Sequence, residues 1–381
     1  MYAHLAFAEE QQNFDAWLIE LKEEALDQSI SQETIDVTLK QVEFLPRVIT
    51  LDRAQPEFIS TFVNYLDKRV TPRVVAQGRA LMQEHEGLLN RLVARYGVPK
   101  QILVSFWGLE TNFGKTQGDF YLPSTLTTLA YEGRRATFFR DELFNLMHII
   151  EAQQNAVAHM RGSWAGAMGQ VQFMPSTFLN HAIDMDENGQ IDIWASIPDA
   201  LGSAANYLSN LGWHPDEPVA IQVKLPANFD YSLAQLNVRK SISDWRRLDV
   251  DVSWSGSELG NAAILLPQGW QGPAFMVFNN YDVVMTWNRS VNYALAVSNL
   301  ADWLVADAPV MINPELETEA LSFNQIWALQ AKLNELGFDC GKPDGFPGLN
   351  TQQSIRHYQA SQGLAQDGYA SPSLYHRLLD N

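Results

Sequence analysis

From Phe14 onward the apolar side chains recur at three- and four-residue intervals, the mark of one buried helix face. Phe14, Trp17, Leu18 and Leu21 begin the pattern, and "TIDVTLKQVEF" and "EGLLNRLVARYG" continue it. A first half patterned in this way must bury helix against helix. Pro99 suits the first turn of a further helix over 99–113, with Gly114 as its terminator, and "PSTLTTLAYEG" and "FFRDELFNLMHIIEAQQN" predict two more. After "GWHPDEP" the texture changes. "VAIQVKL", "AAILLP" and "AFMVFNN" are short β-type runs separated by Pro, Gly and Asn, so a small strand-rich insertion is expected over about 214–280. Helical spacing returns in "YALAVSNLADWL", residues 306–320 lack periodicity and read as a linker, and 321–381 form a small helical module with Asp344-Gly345 and Asp367-Gly368 turns. The expected class is mainly α (α+β).

The chain has 381 residues, 46% of them apolar and 11% aromatic, enough for real cores and for aromatic side chains to spare at a groove that stacks against sugar rings. A net charge of -18 repels a phosphate backbone, and no basic patch offsets it, which excludes nucleic acid as a partner. The single cysteine, Cys340, excludes an intramolecular disulfide and a cysteine zinc cluster. No apolar run reaches the roughly 18 residues that a membrane-spanning helix needs. Ala6-Phe7-Ala8 has the form of a leader cleavage site, so residues 1–8 read either as the remnant of a signal peptide or as an ordinary chain end. With no lipidation cysteine near the start, a soluble periplasmic or otherwise exported protein is expected.

"SFWGLETNFG" places a carboxylate on an apolar stripe. On a helix over 99–113, Leu103, Trp107 and Glu110 share a face with Phe106 adjoining, and Glu110 lies in the last turn. Desolvation and the negative end of the helix dipole both disfavour ionisation, which suits a proton donor to a leaving-group oxygen. The other reading is a Glu at the stripe's edge that reaches water. The next glycine-rich segment, "GSWAGAMGQVQFMPSTF", allows close backbone approach to a ligand, with Gln170 and Gln172 as amide donors and Met168, Phe173 and Met174 as an apolar wall. A Gly/Ala run also serves simply to pack helices closely.

"GLETNFG", "GAMGQVQFMPSTF", "DIWASIPDALGSAANYL" and "WNRSVNYALAV", in this order, resemble the lytic murein transglycosylase B family, and residues beyond 321 resemble the peptidoglycan-binding domain type 1 family. The first resemblance implies a lysozyme-like catalytic domain over 9–305, and the second a three-helix binding domain. The first resemblance implies that Glu110 is the sole catalytic acid/base, that Ser163 and Gln172 line the groove, and that Tyr207 stands beside the acid; Met168 is read as a pocket wall. Asn288 and Tyr293 match positions near the reacting sugar, and Trp287 stands where the family often has Tyr. Ordinary glycosidases need two carboxylates. The implied lytic chemistry needs one, because the N-acetyl group of the substrate shelters the developing charge and its own C6 hydroxyl replaces water, leaving a 1,6-anhydromuramoyl end. No cofactor takes part. A water-using muramidase and a non-catalytic peptidoglycan-binding scaffold are the alternatives.

"DMDENGQIDIWA" fits the start of a calcium-loop template, with Asp184, Asp186 and Asn188 as oxygen ligands, the Gln190 carbonyl at position seven and Asp192 at nine. The bidentate acid expected at position twelve is Ala195. A structural calcium is weighed against a bare acidic turn. His148, His159 and His181 lack zinc-site spacing and read as helix faces.

Overall fold

The computed structural model describes residues 2–54, 60–132, 134–153, 160–254 and 260–379, excluding the side chains of 2–12, 53–54 and 153. Contacts divide the chain into two compact units. The first comprises Met1–Gln55, Asn90–Leu92 and Phe106–Tyr207, and the second Pro56–Leu89, Val93–Ser105 and Leu208–Asn381.

The helix Leu122–Glu132 is the hub of the first unit, buried from Leu122 to Ala130. It packs on the helices Ala136–Gln153 and Pro46–Ala54. Three of its four buried hydroxyls are satisfied: Glu43 N donates to Ser124 Oγ (3.0 Å), Leu45 N donates to Thr128 Oγ1 (3.0 Å), and Thr127 Oγ1 donates to Pro123 O (2.6 Å), whereas Thr125 Oγ1 has no partner among the described residues. The helix Tyr2–Asp27 adds Phe14, whose ring meets Phe44 at 5.3 Å and Tyr131 edge-on at 5.2 Å. The Ala6-Phe7-Ala8 side chains lie outside the described residues, as does His159. Strands β1 (Phe120–Tyr121) and β2 (Arg161–Gly162) form an antiparallel pair.

Asp52, 2% exposed, is held in the first unit by Arg134 (Nε to Oδ2, 2.7 Å) and Arg135 (3.1 Å). Burial alone would raise its carboxyl, but hydrogen bonds and charge from the two arginines outweigh this and hold it below the usual range. A depressed carboxyl stabilises the fold above its unfolded pKa, and that stabilisation is lost as pH falls through the folded value. Asp52→Asn is therefore expected to cost about 1 kcal/mol at pH 7, because both guanidinium groups are partly screened by solvent. Thermal melting across pH should show the difference closing in acid, below the ordinary aspartate range.

In the second unit four strands, β3 (Ala220–Val223), β4 (Arg239–Lys240), β5 (Ala262–Leu265) and β6 (Ala274–Val277), form an antiparallel sheet of order β3-β6-β5-β4. Ile221 pairs with Met276 and Ala263 with Val277. Trp245, fully buried over this sheet, donates from Nε1 to Ala262 O at 2.8 Å. All four strands fall inside the expected 214–280 insertion. The helix Val291–Val305 packs on Phe62–Arg69 and Pro72–Glu84.

The C-terminal module comprises the helices Phe323–Glu335, Leu349–Ser361 and Pro372–Leu379 around Leu329, Leu333, Ile355 and Leu374. It contains an internal repeat of one device. Gln330 donates to Asp344 Oδ1 (2.8 Å) and accepts from Gly345 N (2.9 Å), while Gln359 donates to Asp367 Oδ1 (2.7 Å) and accepts from Gly368 N (2.9 Å). Each Asp-Gly turn is thus clamped by a helical glutamine. Tyr358 packs in the module core, whereas Tyr369 borders a crevice of about 320 Å³ with Trp270, Gln359 and Arg377. Burial and nearby acids push the Tyr369 phenol up to about 12.

Residues 306–320 are tied down rather than loose. Met311 exchanges two hydrogen bonds with the Gln222 side chain (2.7 and 2.9 Å), Asn64 Nδ2 donates to Thr318 O (2.8 Å), and Gln268 Nε2 donates to Glu317 O (2.7 Å). Trp270 N donates to Asp367 Oδ2 (2.9 Å) and Arg356 to Ala234 O (3.0 Å), which joins the module to the strand-rich segment.

Candidate active site

The helix Lys100–Thr111 carries Glu110 in its last turn. Leu103, Phe106 and Trp107 are buried on it and Glu110 is half-buried, so the carboxylate does extend an apolar stripe to its wetter end.

The helix stops abruptly. Asn112, Phe113 and Gly114 take φ values of 49°, 59° and 79°, three successive left-handed residues. Such a conformation costs an L-residue about 1–2 kcal/mol, and for a bulky side chain it is uncommon. Packing compensates at Phe113, which is 5% exposed and meets the Trp107 ring edge-on at 5.7 Å. Thr111 supplies the rest: its hydroxyl accepts from Gly114 N (2.9 Å) and donates to Gln170 O (2.6 Å). A Cβ at position 114 would stand 2.5 Å from Gln170 Oε1, so both space and backbone require glycine there.

Gln170 is 4% exposed, and its amide turns inward, where a ligand cannot reach it. Its Oε1 accepts from Trp107 Nε1 (3.0 Å) and its Nε2 donates to Trp194 O (3.2 Å). The expectation of a ligand-facing amide at Gln170 is thereby corrected. Gln172, half-buried with a φ of 51°, donates to Gln117 O (3.1 Å) and Gly169 O (2.9 Å). Ser163, also half-buried, accepts on its hydroxyl from Ala167 N (3.0 Å), which tightens the glycine-rich turn. Met168 has no exposed surface, and its backbone exchanges two bonds with Phe173, so it is a core residue of the loop rather than a groove wall.

Tyr207 is half-buried, 5.5 Å from the Phe173 ring and 4.6 Å from His181. Burial raises its phenol, with a smaller opposing bond to Thr177, and burial lowers His181, so both rings favour the neutral form. Trp287, Asn288 and Tyr293 belong to the second unit. There Trp287 and Asn288 are half-buried at the end of the helix Asn279–Trp287, and Tyr293 is 3% exposed at the start of Val291–Val305.

The acidic loop gathers its carboxylates differently from the template. Oxygens of Asp184, Asp186 and Asp199 lie within 4.8 Å of one another. Asp192 Oδ1 instead accepts from Trp194 N and Ala195 N, both at 2.9 Å, and so caps a turn. Asn188 Oδ1 accepts from Gln190 N at 2.9 Å. Asp199, fully buried, accepts from Met185 N (2.8 Å) and Asp192 N (2.9 Å). Calcium takes six to eight oxygens, so three converging carboxylates fit a weak site. Asp199 escaped sequence reasoning because it lies beyond the twelve-residue loop.

A carboxylic acid ending a buried helix beside a glycine-rich loop, within a lysozyme-like helical fold, defines a class of glycan-cleaving proteins. The chain belongs to the transglycosylase SLT domain family, whose profile matches residues 13–302, and a peptidoglycan binding domain profile matches residues 324–378. It is 32% identical over 257 residues to the membrane-bound lytic murein transglycosylase B of Escherichia coli (strain K12), an alignment spanning 63% of this chain and 66% of that protein. Crystal structures of SltB3 from Pseudomonas aeruginosa, in complex with NAG-NAM-pentapeptide and with NAG-anhNAM-pentapeptide, superpose with TM-scores of 0.92 and 0.90 at 39% identity, covering 96% of this chain and 99% of that one. The Escherichia coli lytic transglycosylase Slt35 in complex with calcium matches at a TM-score of 0.67 and 28% identity, over 76% of this chain and 92% of that one.

Proposed function

We propose that this protein is a lytic transglycosylase that cleaves the β-1,4 bond between N-acetylmuramic acid and N-acetylglucosamine in peptidoglycan. Glu110 protonates the bridging oxygen, the glycosidic bond breaks, and the C1 cation is sheltered by the substrate's N-acetyl group. Glu110, now ionised, takes the proton of the C6 hydroxyl as that oxygen closes on C1. The enzyme ends as it began, and the product carries a 1,6-anhydro ring. Intramolecular attack gains its speed from proximity, so no second carboxylate is required.

The observation that carries this reading is the half-buried Glu110 in the last turn of an otherwise buried helix, at the position that the family resemblance assigns to the acid. In our assignment Ser163, Gln172 and Tyr207 are substrate-binding residues, and by the same resemblance so are Trp287, Asn288 and Tyr293. Residues 9–305 are the catalytic domain and 321–381 the binding module, joined by 306–320. Among the described residues no helix is long and apolar enough to cross a membrane. In our reading the enzyme works outside the cytoplasm, in the periplasm, where its substrate would lie.

Mass spectrometry of digested murein tests the activity. Anhydro products, one water lighter than those of a muramidase, are expected, and reducing ends alone would assign the hydrolytic alternative. For the loop, Asp184, Asp186 and Asp199 would hold a structural calcium that braces the fold without entering the chemistry. Millimolar calcium is expected to raise the melting temperature by a few degrees, equivalent to about 1 kcal/mol. Asp199→Asn should erase that shift, and an unchanged melt in the parent protein would remove the site.

A further inference from the structure

Gln170 grips the Glu110 helix on both sides of the acid. Through Oε1 it holds Trp107 Nε1 at 3.0 Å, and through its own carbonyl it receives the Thr111 hydroxyl at 2.6 Å. The first contact precedes Glu110 by three residues and the second follows it by one. Gln170 is in turn anchored to the next loop by Nε2 to Trp194 O (3.2 Å) and by its backbone N to Ile193 O (2.9 Å).

We propose that Gln170 is a positioning residue for proton transfer by Glu110. A helix end is where intrahelical bonds run out and the chain frays. This one is followed by three left-handed residues, whose release would let the last turn unwind. Such unwinding would swing the carboxyl away from the bridging oxygen, and displacement by about 1 Å costs a reaction of this kind about a hundredfold. The latch opposes that motion. Gln170 is too buried to touch a glycan, so its contribution is to the chemical step and not to binding. The choice of amide follows from the geometry: Trp107 needs an acceptor and Trp194 O a donor, which one glutamine side chain supplies.

The inference rests on Glu110 being the acid, so the test runs Glu110→Gln beside the latch variants, using the full chain and a soluble murein glycopeptide. Gln170→Leu keeps the volume and the backbone carbonyl's bond from Thr111 but loses both side-chain bonds, to Trp107 and to Trp194 O. It is expected to lower kcat about tenfold or more with KM within about twofold. Trp107→Phe keeps an aromatic ring beside Phe113 but loses the donor together with part of the indole's volume, and should lower kcat several-fold; it decides the matter if the Leu variant does not fold. Gln170→Glu, when protonated, restores one acceptor and one donor, so its kcat relative to the parent at the same pH should rise as pH is lowered from 7 to 5. A parent-like kcat in Gln170→Leu or Trp107→Phe, a loss confined to KM, or a flat relative profile in Gln170→Glu would each overturn the proposal. An active Glu110→Gln would instead overturn the assignment of the acid, whereas an inert Glu110→Gln beside a fully active Gln170→Leu would remove the latch alone.

Discussion

Glu110→Gln is expected to lower turnover of murein by about a thousandfold or more while leaving polymer binding and thermal melting close to the parent. The size follows from the double duty of the side chain. General acid and general base assistance are each worth about a hundredfold or more, and in the proposed mechanism a single carboxyl supplies both in succession. Glutamine matches its shape at a half-buried position, so the helix Lys100–Thr111 has no reason to move. An amide neither gives nor takes the proton. Turbidity clearing and product analysis report the chemistry, and co-sedimentation with murein sacculi reports binding. Substantial residual lysis in a folded variant would mean that another group carries the proton.

The second large effect is structural. Gly162→Ala should cost about 3 kcal/mol and remove activity with it, because overpacking against a backbone that cannot retreat is among the more damaging core changes. Gly162 pairs with Phe120 between β2 and β1, and a Cβ there would stand 2.1 Å from Ala167 O and 2.9 Å from Leu122 Cδ2. Ala167 O is held in place by Ser163 N at 2.8 Å. The loop that carries Ser163 and Gln172 therefore has to open for the methyl group to fit. Thermal or urea unfolding measures the cost, and a parent-like melting temperature would show that the strand pair is looser than these distances require.

Much of this architecture is local, and local rules found it. Short β-type runs and turn residues placed β3, β5 and β6, though not the two-residue β4, and two Asp-Gly pairs marked the module that three helices enclose. The stripe Leu103, Trp107, Glu110 placed a carboxyl at a helix end before any tertiary contact was known. Its helix stops at Thr111 rather than 113, since Asn112 and Phe113 enter the left-handed region under the pull of Thr111 and Gln170, an interaction no propensity encodes.

Side-chain direction in the glycine-rich loop was not legible. Gln170 and Gln172 are two positions apart in one motif, yet the first is buried against Trp107, 63 residues away in sequence, and the second is half-exposed. Met168 shows an incoming ligand nothing, and Asp199 joins the acidic loop from outside its template. Residues 306–320 lack periodicity because they pack as an extended strap held by Gln222, Asn64 and Gln268, and such a segment needs no repeating apolar face. The sequence by itself determined the helices, the sheet segment, the module and the carboxyl at the helix end, because those depend on neighbours within a few residues. Tertiary structure alone decided which amides and carboxylates turn inward, because that choice depends on partners brought together only when the chain has folded.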